Sequence, residues 1–185
     1  KGSVLSMSSA ESIIGNVRYH GMDTVIIDFK DAEGNFYYNP SLDVAGDALS
    51  YASDNAEKIV KEFRSASIRV YARFCMYADD IYARTNQSEA AYVMTQAEDG
   101  TDTRTRTVWY NEGEDSHAWL NPFSAEVQYY LRCCIEDINA MGVHGIILDY
   151  VSIPLSAKNS AVIFDGSSDT SPDEKITEFI QWLGS

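Results

Sequence analysis

Basic residues are few in this sequence: 14 Lys and Arg stand against 28 Asp and Glu among 185 residues, a formal charge of -14 at pH 7. A surface of that sign repels phosphate backbones and anionic lipid headgroups, so no nucleic acid partner is expected. Long apolar runs are missing as well. A helix that crosses a bilayer needs about 18 or more consecutive apolar residues, so no membrane insertion is expected. Cysteine occurs three times, as Cys75, Cys133 and Cys134, without the C-x-x-C spacing of metal or redox sites. The adjacent pair falls in a helical pattern where side chains diverge, and all three read as packing residues. No G-x-G-x-x-G or G-x-x-x-x-G-K-S/T run exists to cradle a phosphate. His20, His117 and His144 share no ligand spacing and are assigned no chemistry. Asp31, Glu33 and Asn35 alternate like part of a calcium loop, but Gly34 and the lack of a distal glutamate break the pattern, leaving a solvated turn. Neither metal nor cofactor is therefore expected. An initiator methionine is also missing, since the chain starts at Lys1, which reads as an upstream segment removed.

What is present fits one globular domain over residues 1–185: 45% hydrophobic and 12% aromatic residues suffice for a core. A short apolar run lies in Lys1 to Met7, and Ser8 with Glu11 has the form of a capping box opening a helix through Ile13, Ile14 and Val17. Thr24 to Lys30 (TVIIDFK) is β-branched and apolar enough for a buried strand. A second helix is expected from an N-cap at Asp54, with Ile59, Val60 and Phe63 inward. Ile68 to Tyr77 reads as a strand. Residues 78–120 look too long for an ordinary connection and are read as a functional loop carrying Trp109, Tyr110, His117 and Trp119. Ser124 to Ala140 returns to a helical period, and Gly145 to Val151 is the last strand. Ser171-Pro172-Asp173-Glu174 then opens a final helix. The order is βαβαβαβα, which implies a parallel sheet with right-handed crossovers.

In such a sheet the C-terminal strand ends share one edge, where parallel α/β proteins place their chemistry. Three strands end there in polar residues: Asp28, Lys30 and Asp31; Arg73 followed by Asp79-Asp80; and Asp149 with Tyr150. An unpaired buried carboxylate costs several kcal/mol, so each must meet a cation or open solvent. In HGIILDYVSIP, residues 144–154, Asp149 interrupts an apolar run and is expected to point out of the sheet end into a cleft. Two carboxylates with Lys30 and Arg73, under a loop bearing Trp109 and Trp119, have the makings of a sugar-binding cleft. Glycoside hydrolysis needs two such carboxyls, and Asp28 with Asp149 is the candidate pair.

VIIDFKDAEGNFYY, RVYARFCMYADD and WLNPFSAEVQYYLRCCIEDINAMGVHGIILDYVSIP resemble, in order, three signatures of a bacterial glycosyl hydrolase domain family related to the α-amylase-like (β/α)8 barrels. The matching positions are Asp28 and Lys30, Arg73, the run Trp119, Asn121 and Pro122, and the run Asp149, Tyr150, Val151 and Pro154. The resemblance implies Asp149 and Asp28 as catalytic carboxylates, with Lys30, Arg73, Asp80, Trp119, Asn121 and Tyr150 contacting a carbohydrate. Ser152 stands where that family carries an arginine. Only four βα units are readable, so the resemblance implies half of a (β/α)8 TIM-like barrel. The open half-barrel is expected to self-associate or to pair with a missing second half. In α-amylase-like barrels the general acid follows the fifth strand, which this chain lacks. A non-catalytic carbohydrate-binding or assembly module therefore stands beside a glycoside hydrolase acting on a polysaccharide. An extracellular or cell-surface bacterial location accompanies either.

Overall fold

A computed structural model describes residues 6–96, 104–113, 115–158, 161–167 and 169–184. The elements are α1 (Met7–Tyr19), β1 (Thr24–Lys30), α2 (Ala56–Ser65), β2 (Arg69–Cys75), α3 (Asp80–Thr85), β3 (Tyr92–Gln96), β4 (Arg104–Val108), α4 (Ala125–Ala140), β5 (Gly145–Asp149), α5 (Leu155–Lys158) and α6 (Pro172–Leu183). β1, β2 and β5 form one parallel sheet with β2 in the centre, and β3 and β4 form a separate antiparallel hairpin. The first expected strand falls mainly on residues 1–5, outside the described residues, and Met7 already belongs to α1.

The sheet carries an apolar face and a mixed face, as the period of two demands. Parallel register aligns Val25 with Val70, Ile27 with Ala72 and Ile146, and Phe74 with Leu148. This face packs into the core with Ile59, Val60 and Phe63 of α2 and Leu131 and Ile138 of α4. Each fully buried Ile, Leu or Phe contributes about 1.5–3 kcal/mol, so this contact layer dominates the fold. The opposite face stacks Ile26 with Tyr71 and Gly145, then Asp28 with Arg73 and Ile147, then Cys75 with Asp149. It is the face a closed barrel would turn inward, and here Ile26 is 61% and Ile147 38% exposed. Gly145 is required by this layering, because a Cβ there would lie 2.9 Å from the Tyr71 ring. The chain is thus an α/β half-barrel with its strand ends gathered at one rim.

Helix boundaries follow their caps. Ser124 Oγ accepts from Val127 N at 3.1 Å and opens α4. In α6, Ser171 Oγ accepts from Glu174 N at 3.2 Å and Ser171 N donates to Glu174 Oε2 at 2.8 Å, the expected capping box. At α1 the cap is Ser6, whose Oγ accepts from Ser9 N at 3.1 Å, not Ser8 with Glu11. Serine hydroxyls at both positions can cap, and the earlier one adds about half a turn. At α2 the N-cap is Asn55 without a side-chain bond, while Asp54 is held by the Asn39 amide. The expected long loop at 78–120 contains real structure: α3, the β3–β4 hairpin, and bridges joining Ala78 to Trp119, Ala90 to Leu120 and Tyr110 to Ala118. The single threonine of β3, Thr95, meets both threonines of β4, its Oγ1 lying 2.8 Å from Thr107 Oγ1 and 3.3 Å from Thr105 Oγ1. All three cysteines are free, with Cys75 and Cys134 buried.

Candidate active site

Asp28 and Arg73 are direct register partners on β1 and β2, so their side chains leave the same face of the sheet. Asp149 ends β5 opposite Cys75, two residues past the row of Arg73 and Ile147 and so on the same face. Arg73 spans the gap: its Nε and Nη2 donate to Asp149 Oδ2 at 3.0 and 2.7 Å, and its Nη1 lies 3.4 Å from Asp28 Oδ1. All three side chains are a little over 40% exposed. The hydrogen bond to Asp149 holds the Arg73 guanidinium above its ordinary pKa. The other Asp149 oxygen, Oδ1, accepts from Tyr150 N at 2.9 Å. Both Asp149 oxygens thus accept hydrogen bonds, which fixes the carboxyl plane.

Tyr150 adopts a left-handed backbone with φ of 54°. A non-glycine residue there costs on the order of 1 kcal/mol or more, and such strain concentrates at functional sites. The consequence is local and chemical: the turn brings the Tyr150 amide back onto Asp149 and lays the phenol ring over the cleft, against His117 and Trp119. Burial first, with the Asp149 charge adding to it, raises the Tyr150 pKa. Burial likewise pushes the Cys75 thiol up to about 11, so it stays protonated and inert beside the ion pair.

Asp28, Arg73, Cys75 and Tyr150 line a cavity of about 430 Å³ with Lys30, Glu33 and His117, and Asp149 stands beside it, joined through Arg73. A groove of similar volume, about 420 Å³, runs between α4 and α6 past Tyr129 and Trp182. Its one carboxylate, Glu178, sits 3.3 Å from Lys175, so it lacks the converging pair found at the strand ends. Among the described residues no three His, Cys, Asp or Glu side chains converge as metal ligands. Asp31, Glu33 and Asn35 form a turn closed by its own bonds, with Asn35 N to Asp31 Oδ1 at 2.9 Å and Asn35 Nδ2 to Glu33 Oε2 at 3.1 Å.

Several residues expected to touch a sugar are committed elsewhere. Lys30 is two residues from Asp28, yet the register shifts between them and Lys30 pairs with Phe74. That irregularity turns Lys30 to the helix side, where its ammonium is fully buried, 2.9 Å from Asp79 Oδ2 and 3.1 Å from the Cys75 carbonyl. Asp79 also accepts from Tyr130 OH and from Tyr82 N, each at 2.8 Å, the latter capping α3. Gly34 makes room, since a Cβ there would meet Asp79 Oδ1 at 2.2 Å. Trp119 is only 4% exposed, and its Nε1 donates to Asn111 Oδ1 at 3.1 Å. Asn121 is 2% exposed; it donates to the Asp165 carbonyl at 2.9 Å and accepts from Phe123 N at 3.1 Å. Trp119 and Asn121 are therefore buried scaffold, a correction to the expectation that they contact substrate, while Lys30 borders the cavity with its ammonium held by Asp79. Asp80 lies behind the cavity wall, accepting from Ala118 N at 2.7 Å and facing His117 Nδ1 at 3.1 Å. His117 and Glu33, to which no site role was expected, stand in the wall itself.

The half-barrel has known counterparts. It superposes on a hypothetical protein from Ruminiclostridium thermocellum ATCC 27405 with a TM-score of 0.71 and 18% identity, over 96% of this chain and 85% of that one. It also superposes on the Thermus thermophilus α-galactosidase (TM-score 0.59, 11% identity, 97% of this chain and 32% of that one). An α-L-fucosidase from Paenibacillus thiaminolyticus gives a TM-score of 0.58 at 9% identity, over 93% of this chain and 25% of that one. The chain thus spans a third or less of these two enzymes, and at such identities the likeness is one of fold. No curated protein matches the chain. Residues 2–183 match the family described as "Putative glycosyl hydrolase domain", and the chain belongs to that family.

Proposed function

We propose that the rim cavity is a carbohydrate-binding cleft of a glycoside hydrolase-like domain, with Asp149 in the nucleophile position and Asp28 as its companion carboxylate. One observation carries this reading: Asp28 and Asp149, from different strands, converge on Arg73, and Arg73 and Asp28 line an open cavity of a chain from a glycosyl hydrolase family. Asp149 is oriented by Tyr150 N and Arg73, as a nucleophile must be before it attacks an anomeric carbon. Arg73 and Tyr150 would then contact the sugar directly.

A second reading has its own support. A general acid needs a setting that favours its protonated form, whereas Asp28 and Asp149 both face the same guanidinium. A cleft with a nucleophile position and no acid binds glycans without cleaving them. We assign the substrate to polysaccharide and the site of action to the cell surface or exterior, where such polymers lie. We also propose that the open face of Ile26, Tyr71 and Ile147 is covered by further strands, from a second copy or a second half-barrel. A monomer in sedimentation velocity removes the copy.

The deciding experiment pairs release of p-nitrophenol from a panel of p-nitrophenyl α-glycosides with calorimetric titration of the same sugars and of polysaccharides. Turnover lost in Asp149→Asn, with an unchanged melting temperature, supports hydrolysis. Binding without release supports the binding module. Neither binding nor release across the panel overturns both.

A further inference from the structure

We propose that His117 is a sugar-contacting residue of this cleft: Asp80 fixes its tautomer so that Nε2 accepts a hydrogen bond from a hydroxyl of a neutral glycan. The proposal rests on the carbohydrate reading above and adds to it a residue, a donor type and a substrate class.

The geometry begins in the backbone. The segment from Tyr110 to Ala118 doubles back through a bridge between those two residues. His117 N donates to Asn111 Oδ1 at 2.8 Å and Asn111 N donates to the His117 carbonyl at 3.0 Å. That clamp presents the imidazole to Asp80, the first residue of α3. One Asp80 oxygen is taken by Ala118 N at 2.7 Å, and the other lies 3.1 Å from His117 Nδ1. A carboxylate only accepts, so it draws the ring proton to Nδ1 and leaves Nε2 with a lone pair. Carboxylates orient metal-bound and catalytic histidines by this same bond. The Tyr150 ring meets the imidazole edge-on, at 5.9 Å and 89°, which fixes its rotation.

Nε2 has no partner among the described residues, although the His117 side chain is only 14% exposed. Nε2 is not sealed from solvent, so a ligand hydroxyl can take the place of water there. The ring lines the same cavity as Asp28 and Arg73. The wall chemistry limits the ligand class. Asp28, Asp31, Glu33 and Asp115 contribute acid to the lining, while Arg73 is engaged with Asp149 and Asp28 and Lys30 with Asp79. An anionic sugar, such as a uronic acid or a sulfated residue, meets repulsion there. A neutral hydroxyl donor does not.

Asp80→Asn isolates the proposal. The asparagine Oδ1 still accepts from Ala118 N, but its amide donates to His117 Nδ1, driving the proton to Nε2 and turning the acceptor into a donor. Long-range proton–nitrogen spectra of the full chain read the tautomer directly, with the His117 signal assigned by its loss in His117→Gln. The expected result is a protonated Nδ1 in the native chain and a shift of the Nε2 resonance when a p-nitrophenyl α-glycoside from the panel is added. In Asp80→Asn we expect a protonated Nε2 and about tenfold weaker binding, with an unchanged melting temperature. The inference is overturned if the glycoside moves the Arg73 Nε signal and leaves His117 Nε2 where it was. It is equally overturned if Asp80→Asn switches the tautomer without changing affinity, or if a uronide binds as tightly as the neutral sugar. Should no glycoside move either signal, the carbohydrate reading itself fails, and this inference with it.

Discussion

Lys30→Met tests whether the lysine beside Asp28 belongs to the scaffold or to the site. Its ammonium and the Asp79 carboxylate are 0% and 1% exposed and 2.9 Å apart. Removing the cation leaves Asp79 with Tyr82 N and Tyr130 OH as donors, each at 2.8 Å, but with no compensating charge. Breaking a buried pair from one side costs about 3–5 kcal/mol. Native chains hold roughly 5–15 kcal/mol in all, so the variant stands near the edge of folding. At about 2–4 °C per kcal/mol for a domain of this size, the melting temperature should drop by roughly 10 °C. Methionine matches the length of the lysine stem and keeps its contact with the Phe74 ring, which limits the cavity contribution. Adding Asp79→Asn removes the stranded charge while keeping an acceptor for Tyr82 N. The double variant should therefore recover about 1–2 kcal/mol of the loss, a coupling that urea titrations of the four chains resolve. The reasoning is refuted if Lys30→Met melts within a degree or two of the native chain. It is refuted more sharply if that variant is stable and has lost glycan binding, because Lys30 would then serve the cleft after all.

Trp119→Ala should cost about 3–5 kcal/mol, the range for emptying a large buried aromatic site, and lower glycan affinity only as far as the fold is lost. A stable variant with weakened binding would return Trp119 to the cleft as a stacking platform. Stability should also fall at alkaline pH. Burial raises the Cys75 thiol to about 11 and the Cys134 thiol to about 12 from an ordinary value of 9.0. A folded-state pKa above the unfolded one gives stability that is complete below pH 9 and lost as the pH climbs toward 12. Denaturation midpoints that stay level across that window would contradict the burial of both thiols.

Much of the scaffold was legible because local chemistry and tertiary packing agree. The β-branched run TVIIDFK became β1 without change of limits, and the capping box at Ser171 became the start of α6. The period of Val127, Leu131, Cys134 and Ile138 set the buried stripe of α4. What escaped depended on distant contacts. Counting by twos from Asp28 put Lys30 on the same face, but the irregularity at Phe29 reverses that parity, and nothing in the sequence marks it. Trp119 and Asn121 read as site residues on polar loops, yet those loops pack onto the barrel wall through bridges to residues 78 and 90. The hairpin was the more readable omission, since YVMTQ and RTRTV alternate as strands do. His117 gave no signal, because its partner Asp80 lies 37 positions earlier in the chain.

The two ion pairs of this fold show why position on the sheet, more than residue type, separates chemistry from structure. Arg73 with Asp149 and Lys30 with Asp79 each join a cation to an aspartate, at 2.7 and 2.9 Å. Lys30 faces the helices, so water cannot offset its desolvation, and every lone pair and proton must be met inside the protein. The pair is accordingly saturated by Tyr130, Tyr82 and the Cys75 carbonyl, and a saturated pair has no capacity left for a ligand. Arg73 and Asp149 face the uncovered side, where both are more than 40% exposed and solvent completes their shells. On the carbohydrate reading proposed above, sugar hydroxyls would replace that solvent with hydrogen bonds of similar strength. A half-barrel open on its inner face thus keeps one ion pair as a strut and leaves the other in contact with solvent.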